Sequence, residues 1–498
     1  MEALGHLLDG FAAALTPQNL LFALIGSVLG TLVGVLPGVG PTSGIAILLP
    51  LTSFLPPTPA IIMLAAIYYG AMYGGSTTAI LVNVPGEVAS VVTTLDGYQM
   101  ARQGRAGPAL AIAAISSFVA GTLGLVGLTF FAPVLADLAL RVGPPEYFGL
   151  VVLAFSVIAS LSGPSLRKGL TSAALGVLVA LVGLDPQSGV RRFTLGTASL
   201  LGGIDFIAVI VGLFAIAEVL LAVERRMPAV AVASIGRLMP AWDELKRCSA
   251  TMLRATGVGF GLGMLPGCTP GAISFVAYDL ERRISPAGAR FGQGAIEGVA
   301  APEGANNATT SAGFVPLLAL GLPATPALAV LLSGLQIYGL QPGPLLFEKQ
   351  PAFVWAVIAS MYVGNVMLLV LNLPLVGLWA KLVHVPYAVM GPMILVFSVV
   401  GAFSVRNTLF DVGVAVVFGV VGYGMSKLAY PTAPMVLALI LTPLAESSLR
   451  QSLSMAGGDA TILVTRPLAA LFIAAGVALT AWSLFARRSH PEVFESSD

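Results

Sequence analysis

Apolar stretches recur along the whole chain, parted by short charged runs. Those near 108–136, 145–163, 169–184, 203–223 and 467–486 read as helices that cross a bilayer. Two more, 20–54 and 252–277, are interrupted at their midpoints. The first holds "GVLPGVGPTSG" (34–44) and the second "GMLPGCTPGAI" (263–273). Proline there ends one short helix, removes a backbone donor and lets the chain turn. Before each turn, glycines fall every fourth residue: Gly26, Gly30, Gly34 and Gly38, then Gly259, Gly263 and Gly267. Small residues at that period let helices pack closely in lipid. The pattern predicts two re-entrant hairpins with tips at "LPGVGPT" and "LPGCTPG".

The hairpins belong to a longer repeat. Pro37 and Pro41 match Pro266 and Pro270, both 229 residues on. In the same order, "NVPGEVASVV" (83–92) pairs with "GLPATPALAV" (321–330), "GPAL" (107–110) with "GPLL" (343–346), and "FSVIAS" (155–160) with "FSVVGA" (397–402). "AE" at 217–218 then pairs with "AE" at 445–446. Two homologous halves follow, 18–245 (ending in a linker) and 246–465. An interfacial segment, 1–17, precedes them, and an extra transmembrane helix with a tail, 466–498, comes after.

Basic residues orient the halves, because cytoplasmic loops carry the Lys/Arg excess. The linker "ERRMPAVAVASIGRLMPAWDELKRC" (224–248) is expected inside. Counting back places Arg102, Arg105, Arg167 and Lys168 inside, and Arg141 outside. Arg191 and Arg192 also fall outside, against the rule. Counting forward, Arg282, Arg283 and Arg290 want the same side as the linker, which a hairpin over 252–277 allows and a single crossing does not. Lys381, Lys427 and the tail then fall inside. Each half has one hairpin and five crossings. Five is odd, so the second half is inverted. The fold expected is an all-α polytopic membrane protein of two inverted repeats and one extra C-terminal helix. It has eleven crossings in all, and the N-terminus lies outside.

Composition agrees. Of 498 residues 57% are hydrophobic and only 9% charged, too few to clothe a soluble domain. A net charge of +1 gives no reason to expect a nucleic-acid partner. Two cysteines and three scattered histidines make neither a disulfide framework nor a transition-metal pattern. The 57 glycines and 34 prolines fall within apolar segments. Membrane helices tolerate such breaks where protein or a water-filled cavity satisfies the freed backbone, which favours a transporter or channel.

Two polar clusters interrupt apolar spans: "YYGAMYGGSTTAILVNVPGE" (68–87) and "EGVAAPEGANNATTSAG" (297–313). Each is expected to unwind its helix halfway. Free carbonyls and hydroxyls there would suit Na⁺, and free amides would suit a carboxylate. The candidate substrate-binding residues are the tip residues Gly38, Gly40, Pro41, Thr42, Ser43, Gly267, Thr269 and Gly271, with Ser76, Thr77, Thr78, Asn306, Asn307, Thr309 and Thr310 of the clusters. Candidate Na⁺ ligands are Gly75, Asn83, Gly304 and Asn306. Glu87, Glu297 and Glu303 stand beside the clusters and could ligate a cation, take a proton or simply cap helices. Asp205, Glu218, Asp411 and Glu446 lie near helix ends and read as structural. Fixed cations are scarce in the spans, which argues for an anion held by helix ends and hydroxyls with Na⁺ or H⁺ as coupling ion. No Walker motif, catalytic triad or H-E-x-x-H is found, so the chain is not expected to be an enzyme.

The stretches 30–52, 68–87 and 96–110, with "GMLPGCTPGA" (263–272), 302–332 and "GLQPGPLLF" (339–347), resemble the large membrane subunit of the tripartite tricarboxylate transporter family. The resemblance covers nearly the whole chain. It implies a bacterial inner-membrane, multi-pass symporter for carboxylates, driven by an ion gradient, usually sodium. It also implies two partners: a small membrane subunit and a periplasmic solute-binding protein. An uncoupled anion channel, or a permease for other carboxylates or aromatic acids, are the alternatives.

Overall fold

A computed structural model describes residues 2–36, 40–52, 54–161, 165–225, 234–382 and 387–489. In the first half the helices are α1 (Glu2–Ala14), α2 (Pro17–Val35), α3 (Gly40–Thr52), α4 (Pro57–Val82), α5 (Val91–Arg102), α6 (Ala106–Ala139), α7 (Pro144–Leu161), α8 (Leu166–Ala180), α9 (Phe206–Ile210) and α10 (Ala217–Arg225). A π-helical turn, Val211–Ile216, joins the last two into one span. The second half has α11 (Trp242–Gly263), α12 (Pro270–Ile284), α13 (Glu297–Leu320), α14 (Pro326–Ile337), α15 (Pro344–Lys349), α16 (Pro351–Asn372), α17 (Val376–Leu382), α18 (Tyr387–Arg406), α19 (Leu409–Lys427) and α20 (Ala433–Met455). α21 (Ile462–Thr465) and α22 (Pro467–Ser489) close the chain. Among the described residues, strands are confined to a two-residue pair, Gly183–Leu184 with Arg191–Arg192. Among those residues six helices are long and apolar enough to cross a membrane, and the all-α membrane reading stands.

The glycine ladders set the packing around the interrupted stretches. A Cβ at Gly26, Gly30 or Gly34 would meet the carbonyl oxygens of Met63, Ile67 and Ala71 at 2.4, 2.5 and 2.2 Å. Residue numbers rise together on both helices, so α2 and α4 run parallel, with backbones closer than any side chain allows. Parallel neighbours joined through α3 require α3 to run back the other way. Gly44 on α3 accordingly sits against the Val33 side chain of α2. The second half repeats the arrangement. Gly259 and Gly263 seat on Ala305 and Thr309, so α11 runs parallel to α13. α12 folds back along α11, pairing Arg254 with Glu281 at 2.6 Å.

The halves meet through α4 and α13. Tyr69 donates to Ser311 at 2.7 Å and Ser76 donates to Glu303 at 2.6 Å. Numbers rise on one helix and fall on the other, so the two cross antiparallel. Around this pair, α6 lies along α13, with Gly124 against Ser311. α16 lies along α4, with Asn365 bonded to the Tyr73 hydroxyl at 2.6 Å. α1 packs on α16 through His6 stacked on Trp355. α22 packs on α7 through Gly149 and Gly476.

One of the two arginines that broke the inside rule, Arg192, has a local explanation. Arg192 pairs with Glu446 at 2.7 Å, and Arg450 pairs with Glu446 and Asp185 at 2.6 and 2.7 Å. Neutralised arginines put little weight on orientation. Asp205 caps α9 through the Ile207 amide at 2.8 Å, and Asp411 pairs with Arg406. Both are structural, as their place at helix ends suggested.

The expected unwinding of the polar clusters is not found. α4 runs unbroken through Gly74–Thr78, and α13 through Gly304–Thr310. The hydroxyls bond back within the helix, Thr309 to the Ala305 carbonyl at 2.7 Å and Thr310 to that of Asn306 at 2.9 Å. The glycines are seats for neighbours: a Cβ at Gly304 would meet Ser116 Oγ at 2.8 Å, and one at Gly74 the Thr31 carbonyl oxygen at 2.4 Å. A helix buried in protein keeps its own hydrogen bonds because nothing around it competes for them.

Candidate functional site

The polar centre is built where α4, α13 and α6 meet the chain just after α4. α4 ends at Asn83, whose φ of +58° turns the chain out of the helix. The chain then comes back over α4 through Gly86, where a Cβ would meet the Gly34 carbonyl oxygen at 1.9 Å. This return lays Glu87 against Gly75, with Glu87 Cγ 2.7 Å from where a Cβ would stand. Glu87 caps a 3-10 turn, Val88–Ser90, by accepting from the Ala89 amide at 2.8 Å. Its other oxygen accepts from Asn306 Nδ2 at 3.3 Å.

Glu303, on α13, faces the next residue of α4, Ser76. Its carboxylate accepts from Ser76 (2.6 Å), from Thr93 on α5 and from Ser117 on α6 (3.5 Å). Glu87 and Glu303 are 8% and 1% exposed, and among the described residues neither has a Lys, Arg or His within 4.0 Å. A buried carboxylate without a counter-charge is costly. Here hydroxyls and amides offset part of that cost. Glu297, by contrast, pairs with Arg247 at 3.1 Å at the start of α13, a structural bond.

The second hairpin tip is clasped by the loop that follows α13, and the end of α2 before the first is met by the loop that follows α4. In the second, the Gly267 amide donates to the Ala324 carbonyl at 2.9 Å. Gly267 has φ +88° and backs onto Ile158 of α7. Thr269 caps α12 through the Ala272 amide at 3.4 Å. Gly271 touches Val88, which brings this tip to the turn that holds Glu87. In the first, Gly34 touches Gly86 as above. Gly40, Pro41, Thr42 and Ser43 form the first turn of α3, with Ser43 buried, and Gly38 lies outside the described residues.

Of the expected site residues, the fold gathers Gly75, Ser76, Thr77, Asn306, Asn307 and Gly271 around the two carboxylates. Thr78, Thr309 and Thr310 are buried and spend their hydroxyls on neighbouring carbonyls. Asn83, expected as a Na⁺ ligand, is an exposed helix cap apart from Gly75. Gly304, its expected companion, sits mid-helix against Ser116 and Ala255. The amide oxygens of Asn306 and Asn307 are buried without a hydrogen-bond partner. Sequence reasoning missed Tyr68, Tyr73, Thr93, Ser117, Thr325, Asn365 and Asn372. Thr325 reads as no more than the cap of α14, accepting from the Leu328 amide at 3.3 Å, and the others are single or paired polar residues in apolar runs with no motif around them. Tyr68 lies 3.3 Å from the Thr325 hydroxyl, and Asn365 Nδ2 bonds Thr122 at 2.9 Å.

Among the described residues, six long apolar helices and a buried, carboxylate-bearing centre define a multi-pass α-helical membrane protein. The model of the tripartite tricarboxylate transporter TctA family matches residues 20–437, and the chain belongs to that family. An uncharacterised 52.8 kDa protein from the TAR-I ttuC' 3' region of Agrobacterium vitis is 44% identical over the full length of both chains. A protein from the TAR-II ttuC' 3' region of the same organism is 41% identical over 239 residues, 48% of this chain and 99% of its own. No solved structure matches.

Proposed function

We propose that this chain is the large permease subunit of a binding-protein-dependent secondary transporter. It imports di- or tricarboxylates across the bacterial inner membrane by cation symport, with Na⁺ as the ion. A small membrane subunit and a periplasmic binding protein complete the assembly. The observation that carries the reading is the antiparallel crossing of α4 and α13, with Ser76 bonded to Glu303 at its centre and a fold-back helix pair on each side. That crossing supports an inverted repeat, with 18–245 and 246–465 as its halves. Two hairpins opening to opposite faces let the centre be reached from one side at a time.

Among the described residues, the centre offers a carboxylate substrate hydroxyls, amides and the amino-terminal turn of α12, without a fixed cation. Its own buried carboxylates repel an anion unless cations enter with it. Obligate co-transport follows from that electrostatics.

The test is uptake of labelled tricarboxylates into proteoliposomes holding both membrane subunits, with the binding protein outside. Accumulation above equilibrium under an imposed Na⁺ gradient is the expected result. Flux that only equilibrates, whatever gradient is applied, makes the chain a channel and sinks the reading.

A further inference from the structure

Next to the Glu303 cluster lies a small cavity at the junction of α4, α6 and α16. Its volume is about 10 Å³, room for one occupant the size of a water. Tyr73, Ser76 and Thr77 line it from α4, Ser117 from α6 and Asn372 from the last turn of α16. Leu110, Ala113 and Ala114 of α6 close the apolar side. Glu303 stands directly behind, bonded to two of the lining hydroxyls, Ser76 and Ser117.

Asn372 points to what the cavity takes. Its Nδ2 is used, donating to the Leu368 carbonyl at 3.0 Å and to Thr31 at 3.4 Å. Its Oδ1 is buried and has no hydrogen-bond partner, while the residue is 5% exposed. An acceptor left bare in a protein interior is costly, so an unpaired carbonyl oxygen at a cavity wall calls for a donor or a cation. The other polar atoms of the wall are oxygens as well: three aliphatic hydroxyls and a phenol. Tyr73 already donates its proton to Asn365, and Ser76 donates to Glu303. Both therefore turn lone pairs, not protons, toward any neighbour. A wall of neutral oxygens backed by one carboxylate suits a small hard monovalent cation, whose single charge balances Glu303. A divalent ion would be left half-compensated.

We propose that this cavity is a sodium site, with Ser76, Thr77, Ser117 and the Asn372 amide oxygen as the oxygen set and Glu303 as the charge behind it. The site deepens the symport reading above and rests on it for its role in coupling. It keeps none of the ligands that sequence reasoning favoured: Ser76, Thr77, Ser117 and Asn372 stand in place of Gly75, Asn83, Gly304 and Asn306. The placement also explains coupling in physical terms. Ser76 bridges the cavity to Glu303, and the adjacent Gly75 carries Glu87, which Asn306 bonds. Filling the cavity lowers the negative potential at the place a carboxylate must enter.

The test is equilibrium binding of ²²Na⁺ to the purified full chain in detergent, in choline chloride, for wild type, Asn372→Leu and Ser117→Ala. Saturable binding to wild type is expected, weakened tenfold or more in both variants, with unchanged melting in choline. Should Asn372→Leu melt early in choline, Ser117→Ala decides, since it removes one hydroxyl from a packed helix. Wild-type binding that both variants retain overturns the site but leaves sodium symport standing. Absence of saturable binding to wild type also overturns it, and marks the occupant as water. Uptake driven by sodium in the proteoliposome assay reports on the transport reading independently of either result.

Discussion

Arg254 and Glu281 are 27 residues apart in sequence, with a helix break between them, yet their side chains form a two-bond ion pair of 2.6 and 2.9 Å. Thr251 donates to the same carboxylate at 2.8 Å. The pair ties the open ends of α11 and α12 and shows the chain doubling back at Leu265–Thr269. Ser249 and Pro286, just beyond it, are both exposed. Cysteines placed singly at 249 and 286 are expected to react with an impermeant maleimide from the same side of the membrane. Labelling from opposite sides would convert the hairpin into a crossing and reverse the orientation of everything after it.

Asp96 on α5 holds the segment that joins α12 to α13. Its Oδ1 accepts from the backbone amides of Gly292, Gly294 and Ala295 at 2.8–2.9 Å, and its Oδ2 from the Tyr278 hydroxyl at 2.8 Å. Asp96→Asn turns an amide hydrogen toward this nest of donors. A loss of about 1–3 kcal/mol is expected, read as a lower melting temperature in detergent. Tyr278→Phe, which removes one bond of the four, should cost less than Asp96→Asn. Equal melting of all three proteins would show that the clasp contributes nothing.

Gly34 leaves no room for a side chain on either flank. Its missing Cβ would stand 2.2 Å from the Ala71 carbonyl oxygen, and its own carbonyl touches Gly86. Gly34→Ala is expected to destabilise the chain by about 1–3 kcal/mol and to displace the Glu87 turn. Uptake would then fall more steeply than stability. Gly257 and Gly261, with nothing near a Cβ, are the controls, and their alanine variants should behave as wild type.

Asn306 and Thr77 lie against Glu87 and the cavity respectively. Asn306→Leu and Thr77→Leu should abolish carboxylate uptake while membrane insertion and monodispersity persist. Normal transport by both would remove the polar centre from the transport path.

Outside the membrane, the loop between α8 and α9 carries a pH signature. The Gln187 and Ser188 amides, then Arg450, hold the Asp185 carboxyl well below the usual carboxylate range. A depressed folded-state value contributes stability at every pH above the ordinary one, and that contribution is lost as pH falls through the folded value. Asp185→Asn should therefore melt below wild type at pH 7, with the gap closing only as pH drops below the ordinary carboxylate range. A gap that stays constant through pH 3 would assign the effect to packing alone.

Much of the architecture was legible from one-dimensional pattern, because lipid imposes strict local rules. Apolar length marked the helical membrane class, and proline breaks and glycine every fourth residue marked where α2 and α11 end and how closely their neighbours approach. The same locality misled over the polar clusters. Gly-Gly-Ser-Thr-Thr looks like a helix breaker when read alone, yet Thr31, Glu87 and Ser116 fill the spaces its glycines and those of α13 leave. The helix stays whole because it is packed on every side.

The sequence by itself determined that this is a helical membrane protein with interrupted spans and carboxylates beside small polar residues. Only the tertiary structure decided which of those residues meet. Glu303 finds Ser76, Thr93 and Ser117 across more than 180 residues of chain, and Asn372 turns its amide to the same place from the end of α16. Burial in lipid is a property each segment carries alone. A binding site is a coincidence of side chains from several segments, and it exists only once packing has fixed the helices in register.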